Sequence, residues 1–259
     1  MRSSSPLCRV LAPLPAVAAS LLIACSILMS VLWLTGFGDA TVADPAFARR
    51  IANRELAAAL GTLARSMDAI WMVLASICIY LSLVQMESIM VARRWSATVL
   101  AAGFALPAMS ALSQWPLGPV FYPQNLGLKI GPVPSTLPLL WFIVIVGARE
   151  AAWRLFPRAS HGGVAAAAAI FALLTDANLE PLAWKYRAWW IWYPGPAAHA
   201  AYPPWSNFVT WFAASLAISW LMRTPHLVPR VTRRPLVAVG ALSFLNLLAL
   251  ATQAVLHWA

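Results

Sequence analysis

Charged residues are scarce in this chain of 259 residues. Asp, Glu, Lys and Arg together make up 10% of it, against about 25% in an ordinary soluble protein, and hydrophobic residues make up 61%. A soluble chain of this size covers its surface with charge, which eight acidic and 18 basic residues do not provide. The composition therefore excludes most soluble proteins and predicts a polytopic membrane protein.

Cysteine and histidine are also few. The three cysteines, Cys8, Cys25 and Cys78, share no metal-ligand spacing, and the four histidines form no H-x-x-H or H-x-x-x-H pair. A disulfide framework, a zinc site and the histidine-box di-iron site of membrane desaturases are therefore not expected. No flavin or nicotinamide motif is visible either, so we expect no metal and no other cofactor.

The basic excess does not point to nucleic acid. The net charge is +10, but the bases lie in short gaps between apolar runs rather than on one soluble face. Bases in such gaps hold membrane topology and contact anionic lipid headgroups. We therefore expect membrane lipids as partners and no nucleic acid.

Seven apolar runs are long enough, or nearly so, to cross a bilayer, which takes roughly 20 residues. They are too long and uniform for barrel strands, so we expect an all-α helix bundle that forms a single membrane domain over 1–259. The first run exceeds a signal-peptide core, so it is interpreted as an uncleaved helix. The predicted spans are 12–34, 67–86, 95–113, 136–154, 163–182, 205–222 and 235–257.

The distribution of Lys and Arg predicts the orientation. A cytoplasmic N-terminus places more of the bases on the cytoplasmic side, as the positive-inside rule requires. The longest loop, 35–66, is then extracytoplasmic. Within it, Asp44 and Pro45 are typical of a helix start, and the apolar positions that follow suggest an interfacial helix leading into the second span.

Two of the eight acids have no simple structural explanation. Asp176 and Glu180 lie four residues apart at the end of the fifth predicted span, which puts both on one helix face. A carboxylate at mid-membrane costs roughly 2.5–3.5 kcal/mol on insertion scales. Either Lys185 or Arg187 folds back on them, or another loop supplies a cation. The alternative is a shared polar pocket that keeps at least one carboxyl protonated, so that it can act as a general acid.

Aromatic residues follow this pair. Pro181 predicts a kink or an end of the helix at Glu180, and six of the 14 tryptophans lie within 184–211. These tryptophans either form an interfacial belt or line a site for a flat apolar substrate or a carbocation. A second structured loop, 118–142, faces the same side, as does Asp68, which belongs to the site or marks the membrane edge.

Three motifs carry a family resemblance. Residues 122–142 fit Tyr-x4-Gly-x-Lys-Ile-Gly-x-Val-Pro-x3-Pro-Leu-x-Trp-Phe, 176–181 fit an Asp-Leu-x-Leu-Asp-Pro box, and a Trp-rich loop closes at 207–211 on Asn-Phe-x-Gly-Trp. In these residues, within 115–220, the chain resembles the bacterial and archaeal carotenoid biosynthesis protein family. The best-described members are hydratases of acyclic carotenoid end groups, of the γ-carotene and bisanhydrobacterioruberin hydratase type.

The resemblance implies a cofactor-independent hydratase, a hydro-lyase in the bacterial cytoplasmic membrane, acting on a carotenoid or related isoprenoid. Asp176 or Glu180 is expected to protonate the terminal C=C, and the other to orient the water that captures the cation. The two roles are interchangeable at this level. The residues expected to bind or surround the substrate are Asn178, Asn207, Tyr122, Trp141, Trp189, Trp192, Trp211 and Asp68.

The chain departs from the family pattern at three motif positions. Glu180 replaces Asp, Ala177 replaces Leu and Thr210 replaces Gly. The departures are compatible with a different substrate or with loss of catalysis. The alternatives are a non-catalytic carotenoid- or lipid-binding protein and a small proton-coupled transporter. The sequence leaves the oligomeric state open.

Overall fold

The computed structural model describes residues 14–34, 54–193, 203–222 and 236–258, and these ranges are dominated by α-helix. Short strands and single helical turns occur between the helices on one side of the bundle. The seven α-helices are α1 (Leu14–Leu34), α2 (Arg54–Met86), α3 (Ile89–Ser113), α4 (Leu137–Leu155), α5 (His161–Glu180), α6 (Trp205–Leu221) and α7 (Val237–Trp258).

The all-α membrane bundle expected from the sequence is confirmed. Each predicted span corresponds to one helix, and five of them are long and apolar enough to cross a membrane. The other two are α4, which carries Arg149, Glu150 and Arg154, and the 17-residue α6. The protein is therefore a multi-pass helical membrane protein.

The second helix is longer than its predicted span. It runs for 33 residues from Arg54, so the segment expected to lie at the interface is, from that residue on, part of the same continuous helix. The charged residues in its first turns lower the hydropathy there, so the hydropathy pattern does not show that the helix begins before the apolar span. The predicted helix start at Asp44 and Pro45 lies outside the described residues.

Local signals set the helix ends. The hydroxyl of Ser88 accepts a hydrogen bond from the backbone N–H of Val91 at the start of α3, and Ser160 caps α5 through Gly163 in the same way. At its other end α5 stops at Glu180, because Pro181 has no N–H to continue the α-helical bonding. A π-helix, Pro181–Tyr186, follows directly.

Helix α4 is the centre of the bundle. Fourteen of its 19 residues are buried, from Leu137 to Ala152, and it contacts α2, α3, α5, α6 and α7. A helix buried on every side is expected where neighbouring helices enclose it. The two helices that build the candidate site, α5 and α6, pack against each other and against α4.

Two small antiparallel sheets of two strands each lie between the helices. Strands β2 (Lys129–Ile130) and β3 (Val133–Pro134) pair within the loop before α4. Strand β1 (Val120–Phe121) pairs with β4 (Ile191–Trp192), so that this loop is joined to the segment following the π-helix.

The close approach of α3 and α4 gives a test of this packing. A Cβ added at Gly103 would lie 2.6 Å from Cβ of Trp141, so we expect Gly103→Ala to lower the free energy of unfolding by about 1–3 kcal/mol. The matched control is Gly240→Ala, because nothing lies within 4 Å of the added carbon there. Thermal unfolding in detergent measures both; equal midpoints would contradict the packing.

Candidate active site

The site is built on the last turn of α5. Asp176 and Glu180 lie one helical turn apart on the same face, as their spacing predicts, and each is only 2% exposed. The face they share is directed at α6, the helix that packs most extensively on α5. Two acids are thus buried side by side within the membrane domain.

One amide group joins the two carboxyls. Nδ2 of Asn207 donates to Oδ2 of Asp176 at 2.8 Å and to Oε1 of Glu180 at 2.9 Å. A side-chain amide nitrogen carries two hydrogens, so both are used here. Asn207 lies in the first turn of α6 and is itself 2% exposed, which makes the bridge inaccessible to bulk water.

Two indole groups complete the hydrogen bonding of Glu180. Nε1 of Trp190 donates to its Oε2 at 3.2 Å, and Nε1 of Trp192 donates to the same oxygen at 3.0 Å. Trp192 is held in place by the pairing of β4 with β1 opposite Val120. Both partners are neutral donors, which stabilise a carboxylate without cancelling its charge.

No cation neutralises this pair among the residues that the structure describes. Lys185 is exposed, with Nζ 5.4 Å from the ring centroid of Tyr186, and Arg187 forms an ion pair with Asp68 instead. The interpretation in which either base folds back onto Asp176 and Glu180 is therefore wrong. The alternative interpretation, a shared polar pocket, agrees with the geometry.

A small cavity adjoins the groups that bind the carboxyls. Its volume is about 20 Å³, which is enough for one water molecule. One wall is the stacked pair Trp141 and Trp211, whose ring centroids are 4.0 Å apart. The lining residues are Leu117, Tyr122, Leu137, Trp141, Trp190, Trp192, Asn207 and Trp211.

Tyr122 contributes a phenol to this cavity from the loop before α4. Burial raises its pKa, and the nearby carboxyls of Glu180 and Asp176 raise it further. The side chain therefore remains a neutral phenol at physiological pH. It supplies an O–H group that can donate a hydrogen bond in a largely aromatic wall.

The structure does not bring every predicted site residue to this cavity. Asn178 lies on another face of α5, where its amide donates to the backbone and side chain of Asn246 on α7. Asp68 and Trp189 belong to a neighbouring cluster, in which the indole donates to the carboxylate at 2.8 Å. The carboxyl pair is instead accompanied by Asn207, Tyr122, Trp141, Trp192 and Trp211.

Sequence reasoning missed three residues around the cavity. Trp190 is next to the predicted Trp189, and only the direction of the backbone decides which of them faces Glu180. Leu117 and Leu137 are ordinary apolar residues with no signal of their own in the sequence. A larger cavity of about 530 Å³ between α1, α2 and α7 shares no lining residue with the small one.

The same part of the chain carries a family relationship. A model of the carotenoid biosynthesis protein family matches residues 67–258. The chain belongs to this family. The match includes every residue of the carboxyl pair and its cavity, and it supports a role in carotenoid biosynthesis. No curated protein and no solved structure matches the chain significantly.

No metal cluster accompanies this family relationship in the described ranges. Within 14–34, 54–193, 203–222 and 236–258, no three His, Cys, Asp or Glu side chains are arranged to hold an ion. The hydrogen bonds to Asp176 and Glu180 come from the amide of Asn207 and the indoles of Trp190 and Trp192.

The amide bridge can be tested by stability. We expect Asn207→Ala to lower the free energy of unfolding by about 1–3 kcal/mol, because two buried acids lose a shared donor. Adding Asp176→Asn should restore part of the loss, since it removes one of the facing acids. Thermal unfolding in detergent measures both, with exposed Gln85→Ala as control. Strictly additive losses would exclude a shared bridge.

Proposed function

We propose that this carotenoid biosynthesis protein is a cofactor-independent hydratase, which adds water to the terminal C=C of an acyclic carotenoid or related isoprenoid. The observation that carries the proposal is the buried carboxyl pair, bridged by Asn207 and placed beside a cavity the size of one water molecule. Hydration of an alkene needs a proton donor, a proton acceptor and a positioned water, and this set can supply all three.

In the proposed reaction one carboxyl, protonated, transfers its proton to the less substituted carbon of the double bond. The π electrons form the new C–H bond, and a tertiary cation remains on the other carbon. Water adds to that carbon, and its proton passes to the other carboxyl, which is ionised. One proton has then left the pair and one has entered it, so a proton shift between Asp176 and Glu180 completes the cycle.

The aromatic wall suits the cation in this scheme. Trp141 and Trp211 are stacked at the cavity, and the faces of indole rings attract positive charge. Asn207 uses both amide hydrogens on the carboxyls, which leaves its carbonyl oxygen to accept a hydrogen bond from water. The phenol of Tyr122 supplies a second polar contact at the same place.

An isoprenoid end group is larger than a cavity of about 20 Å³. Its entry therefore requires some of the lining side chains to move, and the side chains of Leu117 and Leu137 are apolar and form no hydrogen bond. Such movement costs packing energy rather than polar contacts. The indoles bound to Glu180 can keep their positions while the apolar part of the lining adapts.

Of the three departures from the family pattern, only one lies in the proposed reacting pair. Ala177 is exposed on the outer face of α5, away from the carboxyls. Thr210 donates to the backbone carbonyl of Pro116 at 3.0 Å and helps to join α6 to the loop. Only Glu180 alters the reacting pair, and its longer side chain receives three hydrogen bonds.

The reaction is tested in a bacterial host that makes lycopene or γ-carotene. We expect the intact chain to yield a pigment heavier by one water, detected by liquid chromatography and mass spectrometry. Asp176→Asn and Glu180→Gln should each lower its formation by at least about 100-fold, since each removes an acid–base group. Glu55→Gln, an exposed acid on α2, is the matched control.

The other outcomes are informative as well. Unchanged pigment in every strain, with the protein present in the membrane, would exclude hydration of these two substrates. Pigment that copurifies equally with the intact chain and with Asp176→Asn, without product, would favour a carotenoid-binding role. Proton uptake that depends on Asp176 and is coupled to solute movement would favour a transporter.

A further inference from the structure

Another buried acid is bound differently from the carboxyl pair. Asp68, on α2, accepts hydrogen bonds from Nε and Nη2 of Arg187 at 3.0 and 2.7 Å. The indoles of Trp33 and Trp189 donate to its two oxygens, each at 2.8 Å. The carboxylate is 2% exposed and the arginine 5%, so the whole cluster is inside the protein.

In this cluster the carboxylate of Asp68 has both a counter-charge and hydrogen-bond donors. The guanidinium neutralises the carboxylate, and two indoles occupy the remaining acceptor positions of Asp68. The guanidinium carbon of Arg187 also lies 4.6 Å from the ring centroid of Trp33. Bidentate pairs of this kind fix geometry more strictly than single contacts do, because the planar fork must match both oxygens.

The segment that follows the π-helix connects two acidic centres, the Asp68 cluster and the carboxyl pair. Arg187 and Trp189 bind Asp68, whereas Trp190 and Trp192 bind Glu180. These four side chains project from six consecutive residues, 187–192. Holding Arg187 and Trp189 on Asp68 therefore restricts the backbone from which Trp190 and Trp192 reach Glu180.

The backbone between these contacts is unusual. Ala188 has φ +47°, a conformation that residues other than glycine rarely adopt. On either side of it, the N–H of Arg187 donates to the carbonyl of Leu182 and the N–H of Trp189 donates to the carbonyl of Ala183, so both residues are hydrogen-bonded back to the π-helix. A strained residue persists only where its surroundings determine its conformation, and the Asp68 cluster supplies such surroundings.

We propose that Asp68 and Arg187 are positioning residues, which orient the indole donors of Trp190 and Trp192 towards Glu180. Neither residue needs to touch the substrate. Their catalytic importance rests on the proposed hydratase function, whereas the geometric coupling between the two acids stands independently of it. The β1–β4 pairing anchors the far end of the same segment at Trp192.

The coupling is tested first by nuclear magnetic resonance on the full-length protein in detergent. Indole ¹⁵N–¹H signals of Trp190 and Trp192 are assigned by replacing each with Phe. We expect Arg187→Lys to move both signals, because lysine keeps the charge but cannot form the fork. Exposed Arg93→Lys should leave them in place. Unmoved signals in Arg187→Lys would overturn the proposal.

The second test is a mutant cycle on the hydration rate. We expect Asp68→Asn to lower the rate on the order of 100-fold, as misplacement of a reacting group does. In a Trp190→Phe/Trp192→Phe background the same change should cost less than about threefold, because the donors it acts through are already gone. If Asp68→Asn lowers the rate by the same factor in both backgrounds, Asp68 acts by another route and the proposal is overturned.

Failure of the proposed function remains distinguishable from failure of the positioning role. If the intact chain forms no hydrated product, the reaction is rejected, and the indole signals in Arg187→Lys still decide whether Asp68 and Arg187 orient Trp190 and Trp192. Should Asp68→Asn not fold, Arg187→Lys and Trp189→Phe provide the milder changes, since each leaves part of the cluster intact.

Discussion

Two carboxylic acids buried at the end of one membrane helix impose the main constraint on this fold. Such groups are costly in an apolar environment unless donors surround them. The donors come from outside α5: an amide from the first turn of α6 and two indoles from the segment after the π-helix. The packing of α5, α6 and the end loops must therefore bring these groups within about 3 Å of Asp176 and Glu180.

Asp68 and the carboxyl pair are held in two different ways. Asp68 is paired with Arg187, so its charge is cancelled and its geometry fixed. Asp176 and Glu180 are surrounded instead by neutral donors in the part of the chain that the structure describes. A pair without a fixed counter-charge can take up or release a proton without breaking an ion pair, which is what acid–base chemistry requires.

Much of the fold follows from the sequence, because uniform apolar runs of about 20 residues have one common solution in lipid. The i, i+4 spacing likewise predicts the shared face of Asp176 and Glu180. Helical periodicity also explains why Asn178, only two residues from Asp176, faces elsewhere and binds Asn246. The partner of Asp68 was not predictable, since 119 residues separate it from Arg187.

The order of the contacts along 187–192 has a consequence for how this segment can change. Ile191, the exposed residue within it, has no partner in either acidic centre and can be replaced with little effect. A residue inserted or deleted between Trp189 and Trp190 is a different matter, because it would displace Trp190 and Trp192 relative to the contacts of Arg187 and Trp189 with Asp68. We therefore expect this segment to tolerate replacement of Ile191 but not a change in its number of residues.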